Sequence, residues 1–207
     1  PIGVAAHLVP FLPTHLNLAT YNEKLGAVSA APFGSAQILT ISYAYIKMLG
    51  GEGLREATKM AILNANYLKD RLKDYYPILY TGNNGHVAHE MILDINGINK
   101  ATGVAAIDIA KRLMDYGFHA PTVAFPVHET LMVEPTESEP LAELDRFVDA
   151  MIKIRQEIAD IESGKAEKGN NLISHAPYTA EMLMSDNWEF PFTRQEAGFP
   201  NKSDVQD

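Results

Sequence analysis

The chain of 207 residues contains no cysteine. That excludes disulfide frameworks, thiolate nucleophiles and cysteine-ligated metals, and it fits a reducing compartment. Long apolar runs are missing as well. No window reaches the roughly eighteen uncharged apolar residues that a membrane-spanning helix needs. The opening stretch PIGVAAHLVPFL carries no basic start and is interrupted by His7 and Pro10, so it does not read as a signal peptide. Positive charge is scarce: Lys and Arg number 17 against 26 Asp and Glu, a net charge of -9. Phosphate backbones are bound by clustered Lys and Arg, so neither nucleic acid nor a membrane is expected as a partner. Familiar site patterns are lacking too. There is no Walker lysine after a glycine-rich loop, no dinucleotide fingerprint, no zinc spacing and no recognisable Ser-His-Asp order.

What is present is a core. Hydrophobic residues make up 46% of the chain, and a protein of this length buries roughly 70% of its unfolded surface. Residues 1–9 read as a buried strand stopped by Pro10 and Pro13, and residues 14–34 as a long loop. A helix is expected from Ser35 to the Gly50-Gly51 stop. A second should run from about Leu54 to Tyr75, with Ala57, Met60, Ala61, Leu68 and Leu72 on one face and Pro77 ending it. Residues 87–95, 122–126 and 129–134 read as strands. Residues 104–116 form a helix with Ile107, Ala110 and Leu113 inward. The clearest helix is 140–162, where Leu144, Phe147, Val148, Met151, Ile154, Ile158 and Ile161 recur at helical spacing. This β-β-α-β-β-α order predicts an α/β chain whose C-terminal part is a small α+β domain, with helices on one face of a mostly antiparallel sheet. The segment after Ser163 is polar, then rich in Trp, Phe, Tyr and Pro. It is too aromatic for a disordered linker and reads as irregular chain docked on this domain or on a partner.

Four stretches could carry chemistry. In VSAAPFGSAQ, residues 28–37, small side chains permit close backbone approach. Ser29 and Ser35 offer hydroxyls, and a helix starting at Ser35 would present N–H groups to an anion; the plain alternative is a loop with an N-cap serine. His86 and His89 flank a strand-like turn of sequence beside Glu90. Three apart in a strand they face opposite sides and do not share a metal. In GFHAPT, residues 117–122, a helix stop and a proline bracket His119, which either faces a cleft or sits incidentally in a turn. After the third strand, Glu134, Glu137 and Glu139 could share protons or a cation, or simply lead into the next helix.

Longer blocks carry more information. SAAPFGSAQILTISYAYIKMLGGEGL, AILNANYLKDRL, DYGFHAPT, TLMVEPTESE, ELDRFVDAMIKIRQEIADIE and the closing WEFPFTRQEAGFP resemble, in order and over nearly the whole chain, the C-terminal region of glycine dehydrogenase (decarboxylating), the P-protein of the glycine cleavage system. The resemblance implies a pyridoxal-phosphate enzyme of fold type I, like aspartate aminotransferase. Such an enzyme decarboxylates glycine and passes the aminomethyl group to the lipoyl arm of H-protein. It implies that residues 1–50 end the large cofactor domain, that 51–163 form the small domain and that 164–207 form the tail. The cofactor lysine of this family lies in a His-Leu-Asn-Leu-His-Lys type motif upstream of the segment that here is Pro1-Ile2-Gly3-Val4. No lysine of this chain stands in such a motif, so the chain alone is expected to be inactive and to contribute no catalytic group and no metal ligand of its own. Ser29, Gly34 and Ser35 become the expected cofactor contacts, and His119 and Thr122 the expected wall of the substrate cleft. The implied partners are glycine, lipoylated H-protein and the N-terminal remainder of the P-protein, in a homodimer or heterotetramer. A split-enzyme subunit, or a silent module that binds H-protein, would fit the missing lysine equally. The expected compartment is the bacterial cytoplasm, or the mitochondrion for a eukaryotic source. Residues 126–130 read PVHET where many relatives have Pro-Val-Ala-Gly-Thr. If that turn lines the lipoyl entrance, His128 and Glu129 alter it with bulk and charge.

Overall fold

The structure is a computed structural model and describes residues 4–14, 26–27 and 35–201. Contacts divide the chain into two compact units, Pro1–Arg55 and Glu56–Asp207. In the first unit the strand expected over residues 1–9 is not formed in the described part, residues 4–9. Ala6–Phe11 make a 3-10 helix instead, with Pro10 inside it and no buried residue. Pro10 has no N–H to give a strand ladder, and among the described residues no strand pairs with this segment. The expected loop at 14–34 lies almost entirely outside the described residues, Ser29 and Gly34 included. A single 3-10 turn, Ala36–Ile38, leads into α1, Leu39–Leu72. Gly50 interrupts α1 with φ 63° and ψ −178°, a conformation open to glycine, so the expected stop is a break within one long helical run.

The second unit begins with the remainder of α1. Leu68 and Leu72 are buried as their spacing predicts, joined by Asn64 and Ala65, whereas Met60 on the expected inner face is exposed. β1 (Met91–Asp94), β2 (Thr122–Val123) and β3 (Thr130–Val133) form an antiparallel sheet in the order β1-β3-β2. Leu93 faces Leu131, and Met91 faces Val133. Strand β1 is shorter than the expected 87–95 for a visible reason. Val87 N–H donates to Asn66 Oδ1 (3.0 Å), and Asn66 Nδ2 donates back to Val87 O (2.8 Å). A side-chain amide thus replaces a neighbouring strand there. At the other end, Asp94 Oδ1 accepts from Asn96 N–H (2.9 Å) and turns the chain into α2, Asn96–Thr102, a helix the sequence reading lacked. The element order is therefore β-α-α-β-β-α, with Ile78 adding only an isolated bridge to Leu93.

Helix α3, Ala106–Asp115, buries Ala106, Ile109, Ala110 and Leu113, an i, i+3, i+4, i+7 set. Ala110 and Leu113 are inward as expected, whereas Ile107, also expected inward, is exposed. Helix α4, Leu141–Glu162, buries Leu144, Val148, Met151, Ile154, Ile158 and Ile161 as expected, with Phe147 partly covered. These side chains form one core with Leu93, Leu131, Tyr76 and the inner face of α3.

The tail docks on this same unit. It carries α5 (Ala180–Met184), α6 (Arg194–Gly198) and a small cluster around Ala176, Tyr178 and Ala197. Its anchor is Arg112, which has no solvent exposure. Arg112 donates to both carboxylate oxygens of Glu157 (3.0 and 2.8 Å), to Asp115 (3.1 Å), and to the carbonyls of Ala197 (2.7 Å) and Glu196 (2.8 Å). Five N–H donors are thus matched with five oxygen acceptors, the condition under which a buried guanidinium is tolerated.

Candidate functional site

A cavity of about 480 Å³ in the second unit is built where α3 hands the chain to β2. Gly117 ends α3 at φ 77°, and Phe118 N–H returns to Leu113 O (3.1 Å), closing the helix and aiming residues 117–122 along one wall. His119 and Thr122 both stand on that wall. The lining continues across the paired end of β3, where Met132 is the partner of Thr122, and through the turn after it to Glu139. Thr136 is left-handed there (φ 61°), and Asn64 on α1 holds its carbonyl (2.9 Å). The floor is apolar, from Leu68, Leu144 and Phe147.

One end of the cavity is stiffened by Arg146. Its guanidinium lies 3.7 Å from the centroid of Phe118, donates to Tyr116 O (2.8 Å) and pairs with both oxygens of Glu143 (2.8 and 2.5 Å). The hydrogen bonds from Arg146 hold the Glu143 carboxyl below its usual range. Phe118 in turn meets Phe147 edge-to-face at 5.3 Å. The sequence reading missed Arg146, Glu143 and Asn64. Each is remote in sequence from GFHAPT, and the only available signal was helical spacing, which describes the core and not the cavity.

The remaining candidates separate from this cavity. Ser35 is exposed, caps a three-residue 3-10 turn and makes no side-chain capping bond. His86 and His89 are exposed, and His89 Nε2 lies 3.9 Å from Glu90. Of the glutamates, Glu134 and Glu139 line the cavity and Glu137 does not. No group of three or more His, Asp or Glu side chains placed for a metal occurs among the described residues.

Pyridoxal phosphate does not fit the described residues on their own. Among them no lysine lines the cavity, and its lining carries the carboxylates of Glu134 and Glu139, which repel a phosphate. Lys69, the one buried lysine among the described residues, is engaged with Gly85 O (2.9 Å) and Asp70 (3.0 Å).

The turn before β3 holds a second local feature. Glu129 is left-handed (φ 54°), its carbonyl accepts from Ile95 N–H (2.9 Å), and its carboxylate accepts from Ala106 N–H (2.8 Å) at the start of α3. The charge that distinguishes PVHET is therefore spent on the positive end of a helix.

The cavity, Arg112 with its carboxylate partners and the Glu129 turn all fall within residues 57–178, the span covered by the family model described as "Glycine dehydrogenase, C-terminal domain". The chain belongs to this glycine dehydrogenase family. Individual relatives agree over almost its entire length. It is 57% identical over 204 residues to the glycine dehydrogenase (decarboxylating) of Nostoc punctiforme, covering 97% of this chain and 21% of the relative. The corresponding enzyme of Bordetella avium is 56% identical over 203 residues, and that of Deinococcus radiodurans 57% over 201, each with 97% of this chain and 21% of the relative covered. The chain thus spans about a fifth of the length of these glycine dehydrogenases. The antiparallel three-stranded sheet with helices packed on it is the small α+β domain of this family's C-terminal region.

Proposed function

We propose that this chain is the C-terminal part of a glycine dehydrogenase (decarboxylating) of fold type I. Residues 1–50 would end the large cofactor domain, 51–163 form the small domain, and 164–207 form the tail clamped on it. The enzyme decarboxylates glycine and transfers the aminomethyl group to lipoylated H-protein. The observation that carries this reading is identity of 57% sustained along 97% of the chain to a relative of that name. Pyridoxal phosphate supplies the electron sink for decarboxylation in such an enzyme. Its lysine belongs to polypeptide other than these residues, so this chain alone is inactive. His119 and Thr122 on the cavity wall are the groups of this chain assigned to the cleft, with Ser29, Gly34 and Ser35 bordering the cofactor phosphate. The assembly is a homodimer or heterotetramer, and its setting is the bacterial cytoplasm.

The test has two arms. Mixed with pyridoxal phosphate and reduced with borohydride, the chain alone is expected to show no stoichiometric adduct on a specific lysine. Joined to or co-expressed with the upstream four fifths of a relative, it should support exchange of the glycine carboxyl with bicarbonate in the presence of lipoylated H-protein. A specific adduct on the chain alone, or an inactive but folded assembly, overturns the reading. Coding sequence directly upstream of Pro1 that lacks the lysine motif, with the motif on a separate polypeptide, would identify a split enzyme. Binding of H-protein without exchange would identify a silent module.

A further inference from the structure

The first half of α1 has a composition that water does not tolerate. From Leu39 to Leu49 it carries a single charge, Lys47. Leu39, Tyr43 and Ile46, spaced i, i+4 and i+7, form one side of the helix. Ile41, Tyr45 and Met48, with the same spacing, form the opposite side. All six are exposed, Ile41 by 71% and Met48 by 84%. A helix that is apolar on opposite sides is a buried helix, and an exposed apolar surface of this extent marks an interface. Beyond Gly50 the same helix changes character. Glu52 pairs with Arg55 (2.8 Å) and Glu56 with Lys59 (2.7 Å), both pairs exposed, as on a face that meets water.

We propose that the segment Leu39–Leu49 is an interface helix enclosed on both sides by the polypeptide that makes up the other four fifths of this chain's relatives. This rests on the reading of the chain as part of a glycine dehydrogenase. Two observations select that occupant. The relatives keep this segment within an alignment of 97% of the chain, yet the chain is only 21% of their length, so ample polypeptide is available to surround it. A second copy of the chain is the poorer occupant, because a two-fold helix pair covers one side of each helix and leaves the opposite side wet. A bilayer is poorer too, since no helix among the described residues is long and apolar enough to cross one.

The first test uses native methionines and no substitution. Met48 and Met184 are both highly exposed, 84% and 78%. Oxidative footprinting with peptide-level mass spectrometry should oxidise both readily in the 207-residue chain, at a rate independent of chain concentration. In a polypeptide that joins the upstream four fifths of the Nostoc punctiforme relative to this chain, Met48 oxidation should slow at least tenfold. Met48 reacting at its free rate in that polypeptide overturns the proposal, and so does concentration-dependent protection in the chain alone, which would assign the surface to a second copy. Glycine exchange by the same polypeptide separates the two readings. Activity with an unprotected Met48 sinks the interface and leaves the function standing; protection without activity does the reverse. Should the joined polypeptide not fold, the footprint is read on the chain co-expressed with the upstream part, and failure to co-purify overturns the proposal. As a second variant, Met48→Glu is expected to lower recovery of active assembly more than tenfold, and Met184→Glu to leave it unchanged.

Discussion

Glu129 shows how one side chain can offset a backbone penalty. A non-glycine residue in the left-handed region costs about 1–2 kcal/mol, which a glycine at this position would avoid. Here the carboxylate satisfies Ala106 N–H at the start of α3, an interaction of about 0.5–2 kcal/mol. Glu129→Ala keeps the strain and loses the bond, so a loss of about 1–2 kcal/mol is expected in urea unfolding. Glu129→Gly loses the bond and the strain together and should lie within about 0.5 kcal/mol of the parent. A glycine variant as destabilised as the alanine one would show that the φ angle is not strained.

Titration gives a second test at this scale. Glu196 is held below the usual carboxylate range, chiefly by the N–H of Thr193 and then by the Thr193 hydroxyl. A depressed folded pKa means that its stabilising contribution is complete above the unfolded value of about 4.3 and is lost as pH falls through the folded one. Asp115 works in the opposite sense. Burial raises its pKa despite the bonds from Tyr178 and Arg112, so its ionisation is disfavoured in the fold as pH rises. The difference between parent and Glu196→Gln isolates the first effect. Trp188, the only tryptophan, sits in the tail with its indole N–H on Phe192 O (2.5 Å) and reports the change by fluorescence. The parent tail should loosen in acid below about pH 4, and the variant should lose most of that pH dependence.

Among the elements, α4 and the Arg112 anchor carry the most packing. Met151 and Ile158 are fully buried, and truncating either to alanine should cost about 2–5 kcal/mol, the transfer loss plus the cavity. Arg112→Leu leaves Glu157 and Asp115 buried without their cation, which costs about 3–5 kcal/mol. It also frees the carbonyls of Glu196 and Ala197. Trp188 fluorescence should therefore change in Arg112→Leu but not in Met151→Ala measured under folding conditions; equal responses would mean that the anchor is ordinary core. Helix α4 was legible in the sequence because its burial depends on a seven-position stripe, Leu144 to Ile161, over about five turns. Strand β1 and helix α2 were not. The amide of Asn66, far away on α1, substitutes for a strand at Val87, and Asp94 starts a helix that Gly97 conceals.

For the whole molecule, the contrast between the two units decides what can be tested. None of the described residues before Asn64 is buried, whereas the second unit has a continuous core. Limited proteolysis of the 207-residue chain should therefore leave a resistant fragment beginning near Glu56 and retaining Trp188. Early cleavage within α3 or α4 instead would refute the division. In an assembly with the upstream polypeptide, the sites before Glu56 should become protected.

Sequence alone determined the family, helix on either side of Gly50-Gly51, the helix at 140–162, and strands around 91 and 130. Each of these rests on neighbours in the chain or on a period that one element imposes on itself. Tertiary structure decided the rest. It turned the opening apolar run into a 3-10 helix, set the inward face of α3, and gave Arg112 five oxygen acceptors from three segments. It also placed Glu134, Glu139 and Glu143 around the cavity that His119 and Thr122 line. Those outcomes depend on which distant groups meet, and hydrogen-bond satisfaction and charge at such meetings are set by geometry in space, which no local pattern encodes.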